Sequence, residues 1–168
     1  KASSTFVLPG NFGSLADVKP GTPDETKARQ LMTEAGWLNK IKLVIGTAPE
    51  NTPGAVDLAQ ALAQMFTRIG VETKVETMPP AVFFNRASAG AGGNPEFSFI
   101  LVGWGAGTGE VSSPLKSLVA TFDKTKGMGT ANRGRYSNPE LDKVIDQALA
   151  TVDDAKRGEL LAKASEIA

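Results

Sequence analysis

The alternation of predicted strands and helices between residues 41 and 102 is the feature that most constrains the fold. Residues 41–46, 71–78 and 97–102 are rich in strand-forming side chains, and helical patterns fill the two intervals between them. Consecutive parallel strands need a crossover of this length, usually a helix. The pattern therefore predicts two right-handed βαβ units that share one small parallel sheet.

The hydrophobicity of the strands predicts their order. Residues 41–46 and 97–102 are the most apolar, so we expect them to lie together in the interior. Residues 71–78 alternate between apolar or threonine side chains and charged ones, which is typical of a half-exposed edge strand. We expect an α/β fold with a three-stranded βαβαβ sheet in the order 2-1-3, flanked by helices.

A capping box predicts where the first helix begins. Thr22 is the expected cap, Pro23 the first helical residue and Glu25 the third residue after the cap, and Gly36 ends the helix. Trp37 is expected to pack against this helix. The predicted inward face is formed by Ala28, Leu31, Met32 and Ala35.

Prolines mark the next two helix starts. Thr52 and Pro53 are expected to open the second helix, and Pro79 and Pro80 the third. The predicted core residues are Leu58, Leu62, Met65, Phe66 and Ile69 in the second helix, and Val82, Phe83 and Ala87 in the third.

The last third of the chain is predicted to be helical around one solvated loop. Ser113 and Pro114 start a helix, and residues 123–137 form a loop with four cations. Asn138 and Asp153 cap two further helices that form an antiparallel hairpin. Their inward residues are expected to be Leu141, Val144, Ile145, Ala148 and Leu149, then Leu160, Leu161, Ala164 and Ile167.

The segment after the third strand is the candidate binding site. Glycines stand at alternate positions, Gly103, Gly105, Gly107 and Gly109, with Trp104 between the first two. Open α/β sheets bind ligands at the carboxyl ends of their strands. Because glycines supply no side chains to cover Trp104, we expect its ring to face a cavity or a partner. The alternative is a mobile loop whose tryptophan folds back onto the core.

Nucleotide-binding motifs do not fit this segment. The dinucleotide fingerprint requires a third glycine where this chain has Thr108 or Glu110. The segment also lacks the Gly-Lys-Ser/Thr of a phosphate-binding loop, and Glu110 would repel a phosphate. The sequence therefore predicts no nucleotide cofactor here.

Composition excludes several kinds of site. The 18 basic and 18 acidic residues cancel, so no charge excess points to nucleic acid or to an anionic membrane surface. The absence of histidine and cysteine excludes Ser-His-Asp triads, histidine acid–base catalysis, and thiolate or imidazole metal sites. No apolar run is long enough to cross a bilayer, and we expect the chain to be one piece of a longer protein.

Five segments in chain order carry a family resemblance. Residues 28–37 read ARQLMTEAGW, residues 59–71 read AQALAQMFTRIGV, and Gly103-Trp104 follows the third strand. Residues 136–142 read YSNPELD, and residues 148–157 read ALATVDDAKR. Together they resemble the peptide/nickel class of extracellular solute-binding proteins that serve ABC importers.

The resemblance implies one lobe, the second, of a two-lobed periplasmic or extracellular receptor. A small, peptide-like solute would bind in the cleft between this lobe and a lobe absent from the chain, and the receptor would work with the membrane permease of the importer. No catalytic residue, metal, cofactor or nucleic-acid partner is implied. Residues 1–21 are expected to be an irregular inter-lobe segment and residues 22–168 a single ligand-binding lobe.

Two positions depart from the family pattern. Similar peptide binders carry an aspartate for the ligand's amino group where this chain has Gly107. Some dipeptide binders carry an arginine for the ligand's carboxylate in the loop where this chain has Glu50 and Asn51. Glu110, three residues further on, is one alternative partner for a solute amine, and the sequence does not decide whether it replaces the aspartate. The candidate ligand-binding residues are Gly103, Trp104, Gly105, Gly107, Glu110, Glu50 and Asn51.

Two other classes of function stay open. A small α/β enzyme could use carboxylates, lysines or backbone groups, although the absence of histidine counts against it. A purely structural α/β module instead predicts that Trp104 is buried and that no concavity lies at the strand ends.

Overall fold

The computed structural model describes residues 5–15, 18–19, 21–50, 52–90 and 92–168. The chain forms two compact units. The sheet unit comprises Thr22–Trp104, and the helical unit comprises Lys1–Gly21 together with Gly105–Ala168. This division follows the packing of the chain and does not show which residues form a ligand-binding lobe. The assignment of residues 22–168 to one such lobe therefore stays a prediction.

The sheet unit has the predicted alternation of strands and helices, preceded by one helix. Its three strands are all parallel and lie in the order β2-β1-β3. The predicted βαβαβ sheet and its 2-1-3 order are therefore confirmed. The elements are α1 (Glu25–Glu34), β1 (Ile41–Thr47), α2 (Ala55–Arg68), β2 (Val71–Thr77), α3 (Pro80–Ser88) and β3 (Phe99–Leu101).

Strand β3 is shorter than predicted and lies at the edge of the described sheet rather than in its interior. Phe97, which was expected within the strand, places its ring over β1 instead. A Cβ atom on Gly46 would lie 2.8 Å from that ring, so only glycine lets the ring approach β1 this closely. The ring also stacks on Phe83, with 6.0 Å between the centroids.

Helix α2 packs on the sheet through small residues. Ala55, Ala59 and Ala63 are buried, whereas Leu58 and Met65 are about half exposed. The prediction that Leu58 and Met65 lie in the core is wrong, because the alanines allow α2 to lie close to β1 and turn the larger side chains outward. Leu62 and Phe66 are partly buried at the margin of this cluster.

Helix α1 begins later than predicted. Asp24 is its cap in place of Thr22, and the Asp24 carboxylate accepts a 2.8 Å hydrogen bond from the Lys27 N–H. An aspartate also suits this position because its charge opposes the positive end of the helix dipole. The predicted capping box is therefore wrong by two residues.

The predicted inward face of α1 is not buried. Leu31 is 51% exposed, and Trp37, which was expected to pack against the helix, is 56% exposed. Gly36 ends the helix as predicted, with φ of 72° and a hydrogen bond from the Trp37 N–H to the Met32 carbonyl. Only the backbone of Trp37 therefore takes part in ending the helix.

Helix α3 supplies the second core cluster of the sheet unit. Phe83 and Ala87 are fully buried as predicted, and they pack with Ala48 from the loop after β1. Val82 is 47% exposed, so its predicted place in the core is wrong. A helix of nine residues has one inward stripe, and Phe83 and Ala87 occupy it.

The helical unit consists of short and long helices around one core. Its helices are α4 (Ser112–Pro114), which continues as a π-helical turn over Leu115–Val119, α5 (Pro139–Ala150) and α6 (Asp154–Ile167). Ser113 lies inside α4 rather than at its cap, because the helix starts two residues earlier than predicted and Val111 is its cap. None of the described helices of the chain is both long and apolar enough to cross a membrane.

Helices α5 and α6 have the predicted caps. Asn138 accepts hydrogen bonds from the N–H groups of α5, and Asp153 accepts one from α6. Leu149 is the exception to the predicted inward faces, at 42% exposed. The shared core contains Leu115, Leu141, Val144, Ile145, Ala148, Leu161 and Ala164, and Leu160 and Ile167 pack partly buried against it.

The loop over residues 123–137 is more ordered than a solvated loop. Asn132 is only 3% exposed, and its amide donates to the carbonyls of Ala120 (2.9 Å) and Tyr136 (2.7 Å). Met128 is buried in the core of the helical unit. Asn132 and Met128 thus hold this loop against the helical unit, although its composition alone predicts that it is exposed to solvent.

Candidate functional site

The first part of the candidate site lies at the carboxyl ends of β1 and β3 in the sheet unit. The buried hydroxyl of Thr47 donates a 2.9 Å hydrogen bond to the Leu101 carbonyl. The Gly103 N–H donates a 2.9 Å hydrogen bond to the hydroxyl oxygen of Thr52. These two bonds tie the loop after β1 to the segment after β3.

Trp104 follows directly and is 45% exposed. Its predicted exposure is confirmed, and the structural-module alternative, which requires a buried Trp104, is not supported. Glu50 is also exposed in the loop after β1. Asn51 lies outside the described residues.

The second part of the candidate site belongs to the helical unit. Gly105 and Gly107 are exposed, and a Cβ atom added to either would meet no atom of the described residues within 4 Å beyond its two chain neighbours. Gly109 has φ of 68°, and its N–H closes a turn onto the Ala106 carbonyl at 2.9 Å. The backbone at Gly105 and Gly107 is therefore open to a ligand, whereas Ala106 packs against the core of the helical unit.

Glu110 ends this segment in an ion pair. Two guanidinium nitrogens of Arg157 donate to the two carboxylate oxygens of Glu110, at 2.6 and 2.8 Å. The Ser112 hydroxyl also donates to this carboxylate. The side chains of Arg157 and Glu110 are only 20% and 19% exposed. The negative charge of Glu110, which could have bound a solute amine, is thus already paired with Arg157. A role for Glu110 in binding a solute stays a prediction.

The ion pair shifts the pKa values of both Glu110 and Arg157. The hydrogen bonds from Arg157 hold the pKa of the Glu110 carboxyl below its ordinary value. Burial opposes this shift, and the hydrogen bond from the Ser112 hydroxyl adds a smaller lowering effect. The same hydrogen bonds raise the pKa of Arg157. Both groups are therefore charged at neutral pH.

Two residues of this region are absent from the sequence-based site. Thr52 was interpreted as a helix start, but α2 begins at Ala55 and the Thr52 hydroxyl is left free to bind Gly103. Arg157 appears in the sequence only as the last residue of segment 148–157, which carries part of the family resemblance. It lies 47 positions after Glu110, so no local pattern in the sequence links the two.

The lowered pKa of Glu110 predicts a pH-dependent contribution to stability. We expect Glu110→Gln to lower the thermal midpoint of the complete protein by about 1–2 °C at pH 7, since roughly 1–2 kcal/mol of charge-assisted hydrogen bonding is lost in a protein of its relatives' length. This stabilisation is present above the ordinary carboxyl pKa of about 4.3 and disappears as the pH falls through the lower pKa of the folded state. In thermal denaturation the two proteins should therefore differ at pH 7 and converge at an acidic pH below the folded-state pKa of Glu110.

Glu72→Gln is the matched control for this change. Glu72 pairs with Lys42 at 2.9 Å, but the two side chains are 52% and 76% exposed. Solvent screens such a pair, so the control should not change the midpoint measurably at either pH. A Glu110→Gln protein as stable as the wild type at pH 7 would contradict the role given to the Arg157 pair.

Among the described residues, no group of three or more acidic, histidine or cysteine side chains is arranged to hold a metal ion.

Known proteins similar to this chain are solute-binding proteins. Glutathione-binding protein GsiB of Escherichia coli (strain K12) is 29% identical over 167 residues, which is 98% of this chain and 31% of that protein. Heme-binding protein A of Haemophilus influenzae is 26% identical over 169 residues, which is 98% of this chain and 29% of that protein. The chain therefore spans about a third of the length of the curated relatives it matches.

Solved structures show the same fold. The periplasmic binding protein DppA from Helicobacter pylori, in complex with the peptide STSA, superposes with a TM-score of 0.75 at 26% identity. The match covers 97% of this chain and 31% of DppA.

The family described as "Bacterial extracellular solute-binding proteins, family 5 Middle" matches residues 1–126, three quarters of the chain. With the parallel β2-β1-β3 sheet and the exposed tryptophan at its carboxyl edge, this chain belongs to the family 5 bacterial extracellular solute-binding proteins.

Proposed function

We propose that this chain is part of the substrate-binding component of an ABC importer, and that it contacts a small, peptide-like solute through Trp104 and the adjacent glycine segment. The observation that carries this proposal is a half-exposed tryptophan at the carboxyl edge of a parallel sheet, followed by the exposed backbone of Gly105 and Gly107. Aromatic rings and open backbone groups of this kind are typical of small-molecule sites.

The charges near the segment favour recognition without an ion pair. The Glu110 carboxylate is hydrogen-bonded to Arg157. Gly107 stands at the position where similar peptide binders carry an aspartate for the ligand's amino group. A peptide offers N–H and C=O groups along its length, which the open backbone at Gly105 and Gly107 can bind. We therefore infer that this side of the site binds the body of the solute rather than a charged end.

The relatives support a peptide-like solute class. One is described as binding glutathione and another was solved with the peptide STSA, although a third is described as binding heme. The rest of the receptor would complete the site, and its closure around the solute would allow delivery to a membrane permease. The family description supports a location of the receptor outside the cytoplasm.

Calorimetry on the complete receptor tests the proposal. Titration with the tetrapeptide Ser-Thr-Ser-Ala and with glutathione should give a Kd of about 1 μM or tighter for at least one of them. The bound compound should be recovered chemically unchanged after incubation. No binding to either compound would contradict a peptide-like solute, and a cleaved or modified product would favour the enzyme alternative.

A further inference from the structure

Three chain segments of the helical unit meet at Arg157. The guanidinium binds Glu110 with two hydrogen bonds, and its central carbon lies 5.4 Å from the centroid of the Phe12 ring. Phe12 in turn forms a parallel β-bridge with Glu110, and its carbonyl accepts a 3.1 Å hydrogen bond from the Val111 N–H. Arg157 thus joins the first segment of the chain, the end of the glycine segment and helix α6.

Gly13 makes this meeting possible. Gly13 has φ of 74°, and a Cβ atom there would lie 2.7 Å from side-chain atoms of both Leu161 and Val111. A Cβ atom on Gly158 would lie 3.7 Å from the Phe12 ring. The segment that carries Phe12 therefore passes close to α6, where a side chain at residue 13 would prevent it.

We propose that Arg157 is a positioning residue for solute binding, which fixes Glu110 and thereby orders the backbone of residues 105–109. The residue itself does not contact the solute. This inference rests on the proposed function, because it concerns the segment that we propose as a contact surface.

The composition of the segment explains why it needs an anchor. Glycine loses more conformational freedom on ordering than any other residue, and three of the five residues from 105 to 109 are glycine. Gly105 and Gly107 also have open space where a side chain would pack. If the segment is already ordered in the free protein, binding does not have to order it. The binding-competent state is then already populated, and the affinity is higher.

The test compares Arg157→Gln with Lys156→Gln in the complete receptor. Both changes remove one cation from the first turns of α6, and Lys156 is exposed. In the solute-free receptor, Arg157→Gln should accelerate hydrogen exchange at the amides of residues 105–112, whereas Lys156→Gln should not. This measurement needs no solute, so it decides the anchoring role even if the proposed function is wrong.

Binding kinetics with Ser-Thr-Ser-Ala test the link to function. We expect Arg157→Gln to weaken affinity by about threefold to thirtyfold, with the loss in the association rate and an unchanged dissociation rate. A role in folding alone would lower the fraction of active protein and leave both rates unchanged for the molecules that bind. Arg157→Lys, which keeps the charge but not the paired hydrogen bonds, should be intermediate, and it serves if the glutamine variant does not fold.

Two results would overturn the positioning role. One is unchanged exchange over residues 105–112 in both Arg157 variants. The other is a loss of affinity that lies in the dissociation rate, which would place Arg157 in contact with the solute. A wild-type receptor that binds no peptide, with exchange still accelerated in the variant, would instead refute the peptide-like solute alone.

Discussion

Replacing Trp104 with alanine should weaken solute binding by the complete receptor by at least about thirtyfold. Truncated aromatic residues at the centre of binding sites commonly cost 2 kcal/mol or more, and that energy corresponds to this factor. Trp104 is 45% exposed and is flanked by Gly103 and Gly105, so its ring can contact a solute without competition from neighbouring side chains. Calorimetric titration with the peptide Ser-Thr-Ser-Ala measures the effect.

Trp37→Ala is the matched control. Trp37 is the other tryptophan of the chain and is 56% exposed, but it follows α1 and belongs to none of the candidate site segments. Its removal should change the affinity by less than about twofold, as is typical of surface substitutions away from a site. Equal losses in the two variants would show that the glycine segment has no special part in binding.

Replacing Phe83 with alanine should destabilise the sheet unit by about 3–5 kcal/mol, the usual cost of removing a buried phenylalanine. Phe83 is fully buried, and its ring lies 5.0 Å from that of Phe84 and 6.0 Å from that of Phe97 between centroids. The cavity would lie beside Ala48 and Val102, the residues that lead into the two loops of the site. Hydrogen exchange at the amides of α3 and β1 in the complete receptor measures this loss.

Val82→Ala provides the comparison within the same helix. Val82 is 47% exposed, so the change should cost less than about 0.5 kcal/mol and leave the exchange of β1 unchanged. If both variants accelerated exchange equally, Phe83 would not be the centre of this core.

The sheet could be predicted because its pattern is local and strong. Period-two alternation in β2 and the apolar runs of β1 and β3 are set by each strand's own residues, and the two helical crossovers permit only parallel pairing. Helix caps were predictable where one residue type suffices, as at Asn138 and Asp153. The cap of α1 could not be predicted, because Thr22 and Asp24 are both suitable capping residues. The folded structure selects Asp24, whose side chain accepts a hydrogen bond from the Lys27 N–H.

The buried faces of helices were harder to predict. An apolar stripe shows which residues could be buried, but it does not show on which side a neighbour packs. In α2 the row of alanines packs on the sheet and leaves Met65 exposed, and in α1 no residue is buried at all. Leucine is more hydrophobic than alanine, so a hydrophobicity pattern favours leucine for the buried face. Alanine nevertheless allows two backbones to approach more closely, and it can therefore occupy the packed face instead.

The candidate site was predictable where it depends on the backbone. The exposure of Trp104 was predicted from the glycines beside it, and the side chain is 45% exposed in the described part of the chain. The contacts of Thr52 and Glu110 join residues that are far apart in the sequence, at separations of 51 and 47 positions. Such pairs are fixed by the tertiary fold, so a single sequence contains no signal for them.

The most direct test of a solute-binding role is the mass of the complete receptor, purified from its own host and measured under non-denaturing conditions. We predict a bound mass in the range of a small peptide, which is released unchanged on denaturation and is lost or strongly reduced in Trp104→Ala. A receptor that carries no solute and takes none up from growth medium would contradict the solute-binding role. The same bound mass at the same occupancy in Trp104→Ala would contradict the site assigned to it.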